Sequence, residues 1–392
     1  MDAEWGLGMR LKNMMDFPFQ MTLGAIRDDS LIYQMGAQIA QQMKRIGVHI
    51  NFAPVVDVNI NRINPVIGYR SFSENREKVA RKGIAYMKGL QDYGIQANAK
   101  HFPGHGDTGT DSHYALPVIK HDSARLDSIE LYPFKQLIKN GVKSIMVAHL
   151  NLPAYDPAKN RPTTLSKNVV THLLQERLNY RGLIFTDALN MKAVTKFYKP
   201  GEVDLQALIA GNDVLLAPKN IKKAIQMIEW GIRQKKISLK AINQKVKKVL
   251  GFKYDLKLVK RPPSISRKNL YKDLRSPQAK ALQRKLYQKA LTIVKNKQNL
   301  LPFRRLDTLT FAAINIGKSR KYDFEQMLNN YARFSHFHIN TKKARKWQYN
   351  VVLSKARKYK VVVVSIHDLR KHGNRGQYGL TKNTVALIKD LE

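Results

Sequence analysis

From residue 20 to about residue 250, the apolar positions alternate between two periods. Asp28–Ile46 carries Leu31, Ile32, Met35, Ile39 and Met43 on one helical stripe, and Arg76–Tyr93 shows a similar stripe. Between such stretches lie strand-sized apolar runs at Val48–Val58, Ile95–Ala99, Ser144–Ala148, Gly182–Thr186 and Asp213–Leu216. This rhythm predicts repeated βα units around a parallel sheet. Several runs end in polar residues: Asp57 and Asn59, Lys100-His101, His149, and Thr186-Asp187. In a (β/α)8 barrel the C-terminal strand ends form the reactive face, so chemistry is expected there.

Lys245 to Leu250 reads as the close of the last barrel helix, which sets a first domain at 1–255. Lys260-Arg261-Pro262-Pro263 and the basic stretch after it read as a linker, followed by a helix at Pro277–Ala290, together 256–290. The third part, 291–392, shows strand patterns at Leu291–Lys295, Leu309–Ile316 and Tyr359–His367, with a helix near Tyr322–Tyr331. It reads as a smaller α/β unit of parallel type. Both ends look cut. Met1-Asp2-Ala3-Glu4-Trp5-Gly6 resembles a loop just past a strand, and Leu380–Glu392 reads as a helix that would feed another strand.

Composition narrows the classes. The chain has 392 residues, 43% of them hydrophobic, enough for a real core and against a disordered basic tail. The longest apolar runs, such as Val361-Val362-Val363-Val364-Ser365-Ile366, fall short of the about 18–20 residues that a helical membrane span needs. Zero cysteines exclude disulfides, thiolate metal sites and cysteine nucleophiles. The net charge is +40, spread unevenly: residues 1–150 hold 18 basic and 14 acidic side chains, residues 251–392 hold 33 and 8. Nucleic-acid recognition would need those cations organised with aromatics or a reading motif. They are scattered, as in Lys342-Lys343-Ala344-Arg345-Lys346, so a solvated basic face is expected and no specific nucleic acid.

The richest segment is Lys100-His101-Phe102-Pro103-Gly104-His105-Gly106-Asp107-Thr108-Gly109-Thr110-Asp111-Ser112-His113. Glycine and proline allow the unusual backbone angles that bring side chains to a ligand. Two chemistries could use it. His101, His105 and His113 with Asp107 or Asp111 offer nitrogen and oxygen ligands to a metal. Alternatively, Asp111 orients and tunes His113 for acid/base work. Pro103-Gly104 prevents the helix on which His101 and His105 would converge, which weakens the metal reading.

Lys-His-Phe-Pro-Gly-His-Gly followed by Asp-Ser-His resembles the signature of family 3 glycoside hydrolases, in particular their β-N-acetylglucosaminidase branch. Further matches occur in order: Asp2-Ala3-Glu4-Trp5-Gly6 with Arg10, Asn51-Phe52-Ala53-Pro54-Val55-Val56-Asp57-Val58, Arg70-Ser71-Phe72, and Phe185-Thr186-Asp187-Ala188-Leu189-Asn190-Met191. The resemblance covers Asp2 to about residue 250. It implies a TIM (β/α)8-type barrel lacking its first strand here, then a partial α/β sandwich domain. It also implies a retaining exo-β-N-acetylhexosaminidase that releases terminal N-acetylglucosamine from peptidoglycan fragments or chitooligosaccharides, with no metal and no cofactor.

Residue by residue, the resemblance makes Asp187 the nucleophile, His113 the acid/base and Asp111 its dyad partner. Asp2, Arg10, Arg70, Lys100 and His101 become the ligands of the sugar hydroxyls. Trp5 departs from the smaller residue common there, which changes the subsite wall. His49, His149, His172 and Met191 are read as structural or pocket-lining. Relatives are often exported, which favours a periplasmic or exported protein over a cytoplasmic one, and the basic flank suits an anionic cell-wall or membrane surface. Two other functions remain: a β-glucosidase or β-xylosidase of the same family, whose acid/base usually comes from the second domain, and an inactive basic fragment that adheres to wall material or nucleic acid.

Overall fold

The computed structural model describes residues 1–111, 115–258, 264–318, 323–341, 343–370 and 377–391. The chain forms two compact units, Met1–Leu291 and Thr292–Glu392. No helix among the described residues is long and apolar enough to cross a membrane.

In the first unit, α1 (Gln20–Gly24) and α2 (Ser30–Arg45) precede the short strand β1 (Ile50–Asn51), and α3 (Arg76–Asp92) leads to β2 (Gln96–Phe102). The helical stripe of α2 is buried as its spacing predicts: Leu31, Ile32, Met35, Ile39 and Met43 are all inside. Asn75 caps α3 by accepting from the Lys78 amide at 2.7 Å. The two helices meet backbone to backbone at Gly36 and Gly89. A Cβ on Gly89 would lie 2.2 Å from the Tyr33 carbonyl oxygen, so no larger residue fits that crossing.

The chain continues through α4 (Ser123–Ser128), α5 (Leu131–Lys139), β3 (Ser144–Val147), a π-helical stretch at Asn168–Arg177 and β4 (Leu183–Thr186). After β4 come α6 (Lys192–Thr195), α7 (Glu202–Ala210), α8 (Ile221–Arg233) and α9 (Leu239–Asp255). The four strands lie side by side in sequence order, all parallel. Val214 extends the row by bridging to Phe185 on β4, and Val55 bridges to Lys100. The register aligns Val147 with Thr186 and Phe102 with Val147. Parallel strands in near register end at one edge, and this edge gathers the polar strand ends.

The stretch 256–290, read from sequence as a linker and helix, carries α10 (Leu270–Leu274) and α11 (Pro277–Ala290). Both pack into the first unit's core through Leu274, Ala279 and Leu286. Arg45 on α2 anchors them, its Nε 2.8 Å from Asp273 and its terminal nitrogens on the carbonyls of Ser266 and Lys268.

The second unit is a three-stranded parallel sheet in the order β6-β5-β7. It runs β5 (Phe311–Gly317), α12 (Asp323–Leu328), β6 (Phe334–Asn340), α13 (Lys346–Ala356), β7 (Val361–Ile366) and α14 (Lys382–Leu391). Its core is Ile314, Ile316, Ile339, Tyr349, Ala356 and Leu387. The strand pattern expected at Leu291–Lys295 forms no strand. Leu291 and Val294 stand exposed there.

Candidate functional site

The C-terminal edge of the first sheet brings together Asp57, Lys100, His101, His149 and Asp187, each just beyond or at the end of a parallel pairing. The segment Met1–Glu4 is pinned beside β1. The Met1 carbonyl accepts from Phe52 N at 2.9 Å, and Ala3 exchanges bonds with the Asn51 side chain at 3.0 and 3.2 Å. From α3, the buried Tyr86 hydroxyl reaches the carbonyls of Ala3 and Glu4 at 3.1 and 3.0 Å. Asp2 and Glu4 are thereby fixed against the strand ends.

A charged cluster results. The Lys100 ammonium, 2% exposed, lies 2.7 Å from Asp2 and 2.8 Å from Glu4. Arg10 pairs with the other oxygen of Asp2 at 2.5 Å. Arg70 grips Glu4 with both arms of its fork, Nε at 3.0 Å and a terminal nitrogen at 2.7 Å. Burial alone would raise the Glu4 carboxyl, but Arg70 and Lys100 outweigh it and hold the group at about 2. Asp2 is likewise held below the usual carboxylate range by Lys100 and Arg10, against its burial.

His101 faces Arg70 on one side and Asp57 on the other. Arg70 can only donate, so His101 Nε2 accepts across 3.2 Å and Nδ1–H donates to Asp57 at 2.7 Å. Asp57 is fully buried and also accepts from the amides of His101 and His105 at 3.2 and 2.7 Å. Burial opposes its charge, and His101 and His105 lower its pKa regardless. His105 is buried with Nδ1 at 2.7 Å from the Thr108 hydroxyl, and burial, then the neighbouring His101, push its pKa down to about 4.

Asp187 sits just after β4, partly open to solvent, its amide donating to the Val147 carbonyl at 2.9 Å. Its carboxylate accepts from the Ala188 amide at 2.8 Å. Burial works against the anion. The nearby His149 and His101, the Ala188 N–H and the Lys100 ammonium outweigh it, so the pKa is lowered. The buried His149 lies 2.7 Å from the Thr164 hydroxyl and 3.0 Å from the Ala188 carbonyl, bracing the turn that carries Asp187.

The residues expected from sequence therefore divide. Asp2, Arg10, Arg70, Lys100 and His101 are tied together by the contacts above, and Asp187 lies at the same strand edge, within electrostatic reach of Lys100 and His101. Asp111 is described, its carbonyl accepting from Ala115 N at 3.1 Å. His113 lies outside the described residues. Asp107, a candidate metal ligand from sequence, instead faces His121 at 2.8 Å and Arg125 at 3.5 Å. Among the described residues no group of three His, Asp or Glu side chains is arranged to hold a metal ion. His172 pairs with Glu176 on the surface, away from any strand end. Trp5 packs edge-on against Phe19 at 4.8 Å and near Tyr69 at 6.1 Å. Sequence reasoning left Glu4 and Asp57 without a role. The available signal was position, since both stand beside matched residues within the quoted motifs.

The model of the glycosyl hydrolase family 3 N-terminal domain matches residues 1–252. The chain belongs to glycoside hydrolase family 3. Among its relatives, beta-hexosaminidase A of Pseudoalteromonas piscicida is 31% identical over 358 residues, covering 85% of this chain and 59% of the relative. A beta-N-acetylglucosaminidase/beta-glucosidase of Cellulomonas fimi is 26% identical over 312 residues, 78% of this chain and 55% of the relative. A solved family 3 beta-N-acetylglucosaminidase from Paenibacillus sp. str. FPU-7 superposes with a TM-score of 0.78 at 31% identity, covering all of this chain and 74% of that one. The chain thus spans somewhat over half the length of these two curated relatives.

Proposed function

We propose that this family 3 chain is a retaining exo-β-N-acetylhexosaminidase that releases terminal N-acetylglucosamine from peptidoglycan fragments or chitooligosaccharides. The observation that carries the reading is Asp187: a carboxylate at the end of β4, partly open to solvent and held as the anion, against its burial, by the nearby His149, His101 and Lys100. An ionised carboxylate so placed is suited to attack at an anomeric carbon. The hexosaminidase names of the relatives support the choice of sugar.

In this mechanism Asp187 bonds to the anomeric carbon while the departing glycosidic oxygen takes a proton from His113, which Asp111 orients. A water then gives a proton back to His113 and attacks the same carbon, which frees Asp187. The assignment of His113 and Asp111 rests on the family resemblance. Asp2, Arg10, Arg70, Lys100 and His101 bind the hydroxyls of the terminal sugar, where charge-assisted bonds are roughly twice as strong as neutral ones. The parallel row of strands is read as part of a (β/α)8-type barrel, and the second unit as a partial α/β sandwich domain. An exported location beside an anionic wall or membrane surface fits the basic charge.

Trapping with a 2-deoxy-2-fluoro glycosyl fluoride should label the peptide that holds Asp187, read by mass spectrometry. An active enzyme that carries no label there would sink the covalent step. The dual name of the Cellulomonas fimi relative keeps a glucosidase reading in view. Turnover of p-nitrophenyl N-acetylglucosaminide should exceed that of the glucoside, and the reverse order would favour the glucosidase.

A further inference from the structure

We propose that Glu4 is a positioning residue: its buried carboxylate holds the Arg70 guanidinium and the Lys100 ammonium in place and keeps Arg70 from capturing Asp187. The inference rests on the hydrolase reading for its kinetic consequences and on the contacts of Glu4, Arg70 and Asp187 for its structural one.

The Glu4 side chain is completely buried, so it cannot touch a sugar bound at that edge. It nevertheless takes bonds from two of the cations expected to bind one, Arg70 through both arms of its fork and Lys100 at 2.8 Å. Lys100 has a second anion in Asp2. Among the described residues the guanidinium has no other carboxylate in hydrogen-bonding contact, and its remaining partners are the ring of His101 at 3.2 Å and the Val66 carbonyl at 3.4 Å. Arg70 also lies within electrostatic reach of Asp57 and Asp187. Asp57 is already committed to His101 and His105. Among the described residues Asp187 accepts only from the Ala188 amide and is in no ion pair, so with Glu4 neutralised it is the carboxylate of this edge left open to Arg70.

An arginine paired with the nucleophile would stabilise its anion further and make it a poorer nucleophile. The groups that set the charge of Asp187 are His149, His101 and Lys100, with the Ala188 N–H, and Arg70 would join them. A purely structural Glu4 would change stability and leave Arg70 away from Asp187.

The test is Glu4→Gln, read by crystal structure and by the pH profile of kcat/KM on p-nitrophenyl N-acetylglucosaminide. The expected structure has Arg70 within about 4 Å of Asp187, the range in which an opposite charge depresses a carboxyl. The expected kinetics are a kcat at least tenfold lower and an acid limb moved to lower pH. Arg70 unmoved, or an acid limb at the wild-type position, overturns the proposal. Should the Gln variant fail to fold, Arg70→Ala is compared with Arg70→Ala/Glu4→Gln, in which both charges are removed. Equal acid limbs in that pair support action through Arg70, and unequal limbs refute it. A wild-type protein inert on both aryl glycosides would refute the hydrolase reading, and the position of Arg70 in the Gln variant would still decide this one.

Discussion

Asp57 accepts three hydrogen bonds inside the protein, two from backbone amides and one from the His101 ring. An asparagine there loses the charge and presents a donor where only acceptors serve. Hydrogen bonds to a charged group are worth about 1.5–3 kcal/mol. Asp57→Asn should therefore lower kcat/KM by about tenfold to a hundredfold, measured on the aryl N-acetylglucosaminide. A change below about twofold would show that His101 needs no such anchor. The same cluster sets an acid limit on stability. Glu4 is depressed from 4.5 to about 2, so its contribution is complete above pH 4.5 and is lost as pH falls toward 2. His105 is depressed from 6.5 to about 4 because burial favours its neutral ring. The unfolded chain then binds the proton first, and stability falls as pH drops from 6.5 toward 4. Melting temperature should decline across both windows, and His105→Gln should flatten the upper one in a thermal scan.

At the scale of elements, the site depends on how closely the loop after β2 lies on the segment after β1. A Cβ on Gly106 would fall 1.9 Å from the Val58 carbonyl oxygen, and backbone cannot yield as a flexible side chain can. Gly106→Ala should cost about 1–3 kcal/mol through overpacking and displace the loop that leads to Asp111. Thermal unfolding and turnover check this, and a variant with wild-type values for both would show that the loop has room. Asn64 supports the same loop, donating to the carbonyls of His105 and Gly106 at 2.8 and 3.1 Å. The sequence announced the loop by its glycines and histidines. It did not announce Asn64, because a lone asparagine forty residues away carries no local pattern.

Over the whole molecule, the net charge of +40 is concentrated outside the first 150 residues, where most of the proposed site lies. Attraction of a basic surface to an anionic polymer is long-ranged only at low ionic strength, since the screening length falls from about 30 Å at 0.01 M to about 8 Å at 0.15 M salt. Co-sedimentation with anionic wall material should therefore weaken steadily as salt is raised. Retention that ignores salt would point to a different mode of attachment.

Local pattern was sufficient for the βα rhythm, the buried stripe of α2, the strand-end location of Lys100, His101 and Asp187, and the family motif. These depend on periodicity and on residues close in sequence. The parallel pairing with its register and the packing of α10 and α11 against α2 came from tertiary structure, as did the roles of Glu4, Asp57 and His149. Each of these three side chains acts on partners distant in sequence, Glu4 on Arg70 and Lys100, Asp57 on His101 and His105, His149 on the carbonyl of Ala188. Burial and pairing of charges are properties of three-dimensional neighbours, and a one-dimensional pattern fixes which residues are available without fixing which ones meet.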